Sequence, residues 1–194
     1  MMYGKYARIG ITGNPATGKK SVGLLVSRKL GFELIDLNSF AKLHSATATG
    51  DDNESIVNTV LLAKELRDYL IRIEGGAIVL GHLLPSVLSV IDLDIVIVLR
   101  CSPERLLDRY RNRGYPENKI RENVVAEAIG VISSEVLQSL EMPKISEIDT
   151  SETTPAKVAQ IIISILEGKT EKKVGLIDWL PTMIKNEDLR TLLH

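Results

Sequence analysis

The feature that most constrains this 194-residue chain is a short segment of glycines and other small residues, GNPATGKKS, at residues 13–21. It lies between a run rich in β-branched residues at 7–12 and a segment of helical period at 21–30. Small residues allow successive backbone N–H groups to curl around an anion without obstruction by Cβ atoms. The helix that follows points the positive end of its dipole at the same anion. The segment therefore predicts a phosphate-binding loop.

One lysine of this loop is expected to act on the phosphates directly. Lys19 is placed to bridge the β- and γ-phosphates of a nucleoside triphosphate and to neutralise charge that develops during transfer. A serine or threonine usually follows this lysine and helps to hold Mg²⁺, but here Lys20 follows and Ser21 comes next. Two interpretations stay open: Mg²⁺ is held through water and other groups, or its coordination is weakened. We expect ATP binding in either case.

The rest of the chain alternates between two kinds of segment. Short apolar runs predict strands at residues 7–12, 32–36, 77–80, 95–100 and 145–149. Helical period predicts helices at residues 21–30, 55–73, 103–113, 119–140 and 155–167. Strands separated by helices imply right-handed βαβ units. The predicted fold class is therefore α/β, with a five-stranded parallel sheet flanked by helices on both faces.

Composition and charge exclude several classes of protein. The formal net charge of −1 offers no general attraction for DNA or for an anionic membrane. No apolar run approaches the ~20 residues that span a bilayer, and residues 1–8 lack the apolar centre of a signal peptide. The single cysteine, Cys101, excludes an internal disulfide framework and suits a reducing compartment. We expect a cytoplasmic protein that binds neither membrane nor DNA.

Four stretches of sequence carry a resemblance to a known family. They are the loop at 13–21, VLGH at 79–82, the elements VLR, RGY and KIREN between 98 and 123, and VGLIDW at 174–179. From Ile9 to about Trp179 the chain resembles the isoenzyme 6 type of adenylate kinase. This family occurs in archaea and in eukaryotic nuclei and also acts in maturation of the small ribosomal subunit. The block between 98 and 123 is the most specific, because its elements keep the family's spacing.

The resemblance implies both an architecture and an activity. It implies a P-loop NTPase domain of the nucleoside-monophosphate-kinase type at residues 1–168, with a monophosphate-binding region at about 37–59 and a lid at about 112–122. Residues 169–194 would form a tail that packs on the domain. The implied reaction is ATP + AMP to two ADP with Mg²⁺ as cofactor. The implied partner is a small-subunit ribosomal protein or pre-ribosomal particle, in ribosome biogenesis and rRNA processing.

The same resemblance implies roles for individual residues. The residues implied to bind ATP are Gly13, Ala16, Thr17, Gly18, Lys19, Lys20, Ser21 and Arg113. Those implied to act in catalysis are Lys19, Arg113 and His82. Those assigned to the monophosphate side are Asp36, Asn38 and Phe40. No direct metal ligand is assigned, and Ser21 or Asp36 would reach the ion through water.

The sequence also departs from the family at a second position. The family has an aspartate two places before the histidine of the third strand, and this chain has Leu80 there. Two interpretations of His82 stay open: its side chain orients a water or a phosphate, or it caps a turn. Because both direct contacts to Mg²⁺ are altered, an alternative function is a slow ATPase switch that acts mainly in ribosome assembly. A kinase of a sugar or shikimate-like acceptor is a third possibility.

Overall fold

The computed structural model describes residues 7–49 and 55–193, and its centre is a sheet of five parallel strands. The strands in this sheet are β1 (Arg8–Thr12), β2 (Glu33–Asp36), β5 (Ala77–Leu80), β6 (Ile95–Arg100) and β7 (Ile145–Asp149). Their order across the sheet is β2-β5-β1-β6-β7. A separate antiparallel pair joins β3 (Thr47–Thr49) to β4 (Ser55–Val57). The predicted parallel sheet is confirmed, and residues 50–54 of the predicted monophosphate region lie outside the described residues.

Helices connect these strands. They are α1 (Lys19–Leu30), α2 (Leu37–Leu43), α3 (Thr59–Arg72), α4 (Pro103–Asn112), α5 (Glu117–Ala128), α6 (Val131–Ser139), α7 (Pro155–Leu166), α8 (Leu180–Lys185) and α9 (Glu187–Arg190). Short 3-10 turns lie at Leu84–Val87, Met142–Lys144 and Thr191–Leu193. No helix within the described ranges is long and apolar enough to cross a membrane.

The hydrophobic core divides into two layers, one on each face of the sheet. On one face, α1 and α7 pack on residues such as Ile11 and Ile97, which are fully buried. On the other face, α2, α3 and α6 pack on residues such as Val79 and Val98. Strand β6 is buried along its whole length because helices cover both faces, which explains its continuous apolar sequence.

A third cluster lies beside the sheet and joins α4, α5 and the C-terminal segment. Met183 and Leu189, from α8 and α9, are buried in the same cluster as Ile120 and Val124 of α5. Trp179 packs at the border of the same cluster. The C-terminal segment is therefore docked on the helices that flank residues 113–116.

The sequence prediction was wrong at two helices. The segment predicted as one helix over 119–140 is two, α5 and α6, because Gly130 has a left-handed φ of 69° and interrupts the helical path. The helix predicted from residue 55 begins at Thr59, where the Asn58 side chain accepts a hydrogen bond from the Leu61 amide. Residues 55–57 form β4 instead. The short helix α2 was not predicted.

Candidate active site

The phosphate loop follows β1 and adopts a conformation that two of its glycines permit. Gly13 has a φ of 137°, and a Cβ there would lie 2.2 Å from the Leu99 carbonyl oxygen. Gly18 has a φ of 98° and directly precedes the first residue of α1. Ala16 also has a positive φ, 65°, which is uncommon for a residue with a side chain. The loop therefore presents its backbone around the start of α1, as the sequence predicts.

Side chains from elsewhere in the chain hold the carbonyl groups of this loop. The Tyr110 hydroxyl donates to the Pro15 carbonyl at 2.7 Å, and Arg109 Nη1 donates to the Ala16 carbonyl at 3.0 Å. The Thr150 hydroxyl donates to the Thr17 carbonyl at 3.1 Å. Because carbonyl oxygens are tied to the protein, the conformation of the loop is fixed by α4 and by the residue after β7.

Lys19 lies at the centre of the loop. Its Nζ donates to the Gly13 and Asn14 carbonyls, each at 2.8 Å. Burial lowers the pKa of Lys19 from its ordinary value to about 8, an effect that the carboxylates of Glu127 and Asp36 oppose and that Arg113 reinforces. At neutral pH the ammonium is therefore charged, but its proton is more easily lost than that of an exposed lysine.

A cavity of about 510 Å³ opens in front of the loop. It is lined by Pro15, Ala16, Gly18, Lys19, Lys20, Ser21, Asp36, Asn38, Ser39, Lys42, Leu80, Gly81, His82, Arg113 and Tyr115. Among these described residues four side chains are cationic, and one, Asp36, is a carboxylate. An excess of positive charge in a concave site favours an anionic ligand, and the volume is that of a small-molecule site.

Asp36 forms the far wall, where β2 ends and α2 begins. Its carboxylate accepts hydrogen bonds from the Ser39 amide and hydroxyl, both at 2.9 Å, and so caps α2. Lys20 Nζ lies 3.5 Å from the same carboxylate and links α1 to this wall. Partial burial works against ionisation of Asp36, but the Ser39 bonds and Lys20 hold its pKa below the ordinary value.

Two further side chains complete the cavity. His82 follows β5, where burial and then the Lys19 ammonium lower its pKa, so the imidazole is mainly neutral at pH 7. Arg113 ends α4, is exposed to solvent and lines the opening together with Tyr115. A guanidinium at an exposed turn can move without disturbing the core.

Most of the predicted site residues lie at this one cavity. The predicted residues in its lining are Ala16, Gly18, Lys19, Lys20, Ser21, Asp36, Asn38, His82 and Arg113. Gly13 and Thr17 belong to the loop but are buried behind it, and the Thr17 hydroxyl bonds the Asn14 carbonyl. Phe40 does not line the cavity, because its ring is buried in the core and stacks on His44 with ring centroids 4.1 Å apart.

Three groups were missed by the sequence analysis. Lys42 lies one helical turn after Asn38 on α2, and that i, i+4 spacing is the signal that could have found it. Tyr115, next to Gly114, also lines the cavity. Glu127 contacts the loop from α5, and no local pattern marks it.

Comparisons with known proteins agree with this geometry. Residues 9–130 match the family described as AAA domain. The chain is 35% identical over 175 residues to a Pyrococcus abyssi protein named "Putative adenylate kinase", and the match covers 88% of this chain and 90% of that protein.

Two solved structures share the fold. Shikimate kinase from Acinetobacter baumannii in complex with shikimate has a TM-score of 0.57 at 19% identity, covering 86% of this chain and 96% of that one. Thymidylate kinase from Candida albicans has a TM-score of 0.54 at 14% identity, covering 87% and 97%. The fold is that of the P-loop kinases, with the α/β architecture of nucleoside monophosphate kinases.

Proposed function

This chain belongs to the AAA-domain family, together with archaeal proteins named putative adenylate kinase, and on that premise we propose that it transfers a phosphoryl group from ATP to AMP. The observation that carries the proposal is the position of the cationic cavity. The cavity joins the phosphate loop on one wall to the start of α2 on the other. Two anionic nucleotides that react end to end need such a site, with positive charge where their phosphates meet.

The ATP end of the reaction belongs to the loop. Backbone N–H groups of Gly18 and the first residues of α1 have no partner within the helix at this terminus and would donate to a phosphate in the loop. The Lys19 ammonium, now shared between two loop carbonyls, is within the loop that would surround the β-phosphate. Its charge stabilises the negative charge that develops on the phosphate oxygens as the bond between the γ-phosphorus and the bridging oxygen breaks.

The acceptor end belongs to α2 and the residues around it. Lys42 supplies a cation for the phosphate of AMP, and Asn38 and Ser39 supply hydrogen-bonding groups. Lys20, which the resemblance implies for ATP, is paired with Asp36 on this side of the cavity and would add a second cation here. An oxygen of the AMP phosphate attacks the γ-phosphorus, the bond to the bridging oxygen of ATP breaks, and two ADP molecules result. Arg113 approaches the transferring group from the lid at about 112–122, and exclusion of water by that segment limits hydrolysis. Neutral His82 offers a hydrogen bond at the same place.

The residues of the cavity do not fit a magnesium ion held by the protein. Mg²⁺ prefers carboxylate and other oxygen ligands, but the Asp36 carboxylate is already occupied by Ser39 and Lys20. Leu80 is buried and has no oxygen in its side chain. Over residues 7–49 and 55–193 no group of three His, Cys, Asp or Glu side chains could hold a metal ion. We therefore treat Mg²⁺ as part of the nucleotide substrate and assign it no protein ligand.

A second candidate is an ATP-hydrolysing switch that acts with a small-subunit ribosomal protein or pre-ribosomal particle in the cytoplasm. It is favoured by Lys20 and Leu80, which replace the two direct Mg²⁺ contacts of the family, because weaker metal coordination would slow turnover, and slow turnover suits a switch better than a metabolic kinase. In this case ATP would be hydrolysed without AMP, and the C-terminal segment or the lid would carry the signal to the partner.

Initial rates distinguish the two candidates. Purified protein is given ATP with a panel of nucleoside monophosphates, and ADP formation is followed with each. The kinase proposal expects ADP formation that rises and saturates with AMP. ADP formation that is slow and insensitive to every monophosphate rejects it in favour of the switch, which a pull-down with small-subunit proteins would then test.

A further inference from the structure

A buried carboxylate on α5 contacts the phosphate loop from behind. Glu127 is 1% exposed, and its Oε2 accepts a hydrogen bond from Asn14 Nδ2 at 2.7 Å. Its Oε1 accepts from Arg100 Nε at 2.6 Å and from the Cys101 amide at 3.1 Å. Three donors therefore converge on one carboxylate that does not line the cavity.

We propose that Glu127 is a positioning residue for the phosphate loop: its carboxylate fixes Asn14, which orients the Lys19 ammonium, and its negative charge attracts that ammonium through space. The proposal rests on the function proposed above and adds a residue that acts on the loop without touching substrate. A hydrogen-bonded carboxylate of this kind orients a functional group from the layer behind it.

The contacts form a continuous path from Glu127 to the ammonium. The Asn14 side chain is held by Glu127, and the Asn14 carbonyl accepts hydrogen bonds from Lys19 Nζ at 2.8 Å and from the Thr17 hydroxyl at 2.9 Å. Asn14 is itself buried. Loss of the Glu127 contact would free the side chain of Asn14 and, with it, the carbonyl that orients Lys19.

Burial raises the pKa of Glu127, an effect that Arg100 and the hydrogen bonds from Asn14 and the Cys101 amide oppose, and the ionised carboxylate acts on Lys19 through space. Burial lowers the pKa of Lys19, and Glu127 is the largest of the charges that oppose this effect. Asp36 also opposes it, whereas Arg113 adds to it. Around the ammonium the cavity further carries the charged or titratable side chains of Lys20, Lys42 and His82. Neutralising Glu127 alone would therefore make Lys19 lose its proton at a lower pH.

The surroundings of Glu127 contain a second carboxylate, which allows a matched control. Arg100 Nη1 donates to Glu147 at 3.2 Å and to the Ser133 hydroxyl at 3.1 Å. Glu147 contacts the Gly175 amide and makes no contact with the loop. The titratable groups Cys101 and Tyr110 face Glu127 as well, and burial raises the pKa of both. In Glu127→Gln the Arg100 guanidinium keeps Glu147, so no buried cation is left without a counter-ion.

The test compares Glu127→Gln with Glu147→Gln, since each removes one buried charge beside Arg100. kcat/KM for ATP is measured with AMP in excess from about pH 6 to about pH 10, because this ratio reports on the protein before ATP binds. We expect the fall in kcat/KM at high pH to move down by about one pH unit in Glu127→Gln and to stay in place in Glu147→Gln. Equal shifts in both variants, or a shift in neither, would overturn the proposal.

A second variant keeps the proposal testable if Glu127→Gln does not fold. Asn14→Ala removes the contact on the loop side and leaves Glu127 paired with Arg100. We expect the KM for ATP to rise about tenfold, with the high-pH fall unmoved because Glu127 keeps its charge. An unchanged KM for ATP overturns the positioning role.

Failure of this proposal is distinguishable from failure of the proposed function. Wild-type protein that shows no AMP-dependent turnover rejects the proposed function itself. Active wild-type protein, with variants whose kinetics match it, rejects only the role of Glu127.

Discussion

The two walls of the active-site cavity are built differently. The phosphate loop is buried, with Asn14 and Thr17 almost fully enclosed. Its carbonyls are held by side chains of α4 and of the residue after β7, and the Asn14 side chain donates to Glu127 of α5. The acceptor wall is open: Asn38, Ser39 and Lys42 are exposed, and the side chain of Lys20 is 79% exposed.

The difference indicates when each half of the site takes its working shape. A loop with this many internal hydrogen bonds is organised before ATP arrives, so little ordering remains to oppose binding. Long exposed lysines lose rotamer freedom when they bind a phosphate, so the acceptor half is completed by its ligand. Substitutions on the loop side should therefore impair transfer most, and those on the acceptor side should act on AMP affinity.

The largest effect is expected at the centre of the loop. Lys19→Met keeps the length of the side chain and removes its charge. We expect kcat/KM for ATP to fall about 10³-fold, since the Lys19 ammonium stabilises negative charge that develops during transfer. Steady-state kinetics measures the change. The control is Lys29→Met, at an exposed position in the last turn of α1, and it should leave kcat/KM for ATP unchanged. A fall in kcat/KM of less than tenfold in Lys19→Met would contradict a direct role of the Lys19 charge in phosphoryl transfer.

Arg113, which lies in the proposed lid, extends the comparison because it belongs to neither wall. We expect Arg113→Ala to lower kcat about 10²-fold with a smaller change in KM, since the guanidinium meets charge that develops during transfer. Arg111→Ala, two residues earlier and exposed but absent from the cavity lining, serves as control. If kcat/KM for ATP stays within about twofold in Arg113→Ala, its assignment to the transferring group is wrong.

The acceptor wall is tested at Lys42. In Lys42→Met we expect the KM for AMP to rise about tenfold while the KM for ATP stays within about twofold, because one solvated charge contact is lost. Lys64→Met on α3, also exposed, should leave both values unchanged. An equal rise in both KM values would mean that the two walls do not divide the substrates as proposed.

A smaller effect is expected on the free energy of unfolding when Asp36, which caps α2, is replaced. Its pH dependence tests whether the cap depends on the charge of the carboxylate. Removing its cap on α2 by Asp36→Ala should lower the free energy of unfolding by about 1 kcal/mol near neutral pH. Since the folded pKa of Asp36 lies below its unfolded value, this stability is present above the unfolded pKa and is lost as pH falls through the folded one.

Denaturant unfolding at several pH values measures this prediction. The gap between wild type and Asp36→Ala should close in acid. The corresponding gap for Asn58→Ala, which removes an uncharged cap from α3, should stay constant. A gap for Asp36→Ala that persists undiminished at the lowest pH would contradict a cap that depends on ionisation of this carboxylate.

The smallest effect concerns the backbone of the loop. Ala16 and Ser45 both have positive φ, 65° and 54°, and glycine relieves that conformation at some cost in unfolded-state entropy. We expect Ala16→Gly and Ser45→Gly to raise the free energy of unfolding by about 0.5 kcal/mol each. Equilibrium unfolding measures both, and a loss of stability confined to Ala16→Gly would mean that its methyl group is needed for packing of the loop.

Sequence alone was sufficient for the sheet because buried parallel strands carry continuous apolar runs. Strands β5, β6 and β7 have the predicted ends. Helix α2 escaped prediction because its seven residues depend on a cap from Asp36 and on the burial of Leu37 and Phe40, which are tertiary effects. Gly130 was overlooked because a single glycine within an apolar periodic segment is compatible with either one helix or two.

The site residues likewise divide into those that the sequence identifies and those that only the folded chain brings together. The phosphate loop is contiguous, so its spacing identifies it without a structure. Glu127, which accepts a hydrogen bond from Asn14, lies 113 residues after it in the chain, and no periodic pattern connects the two. Phe40 was assigned to the monophosphate side from its position after β2, but the orientation of α2 directs its ring into the core.

Transfer of the phosphoryl group itself is the most direct measurement of the central claim. Wild-type protein is mixed with ATP labelled at the γ-phosphate and with unlabelled AMP, and the products are separated with time. We expect the label to appear in ADP, at a rate that saturates with AMP and is abolished in Lys19→Met. Label found in inorganic phosphate, at a rate independent of AMP, would contradict the assignment of this protein as a nucleoside monophosphate kinase.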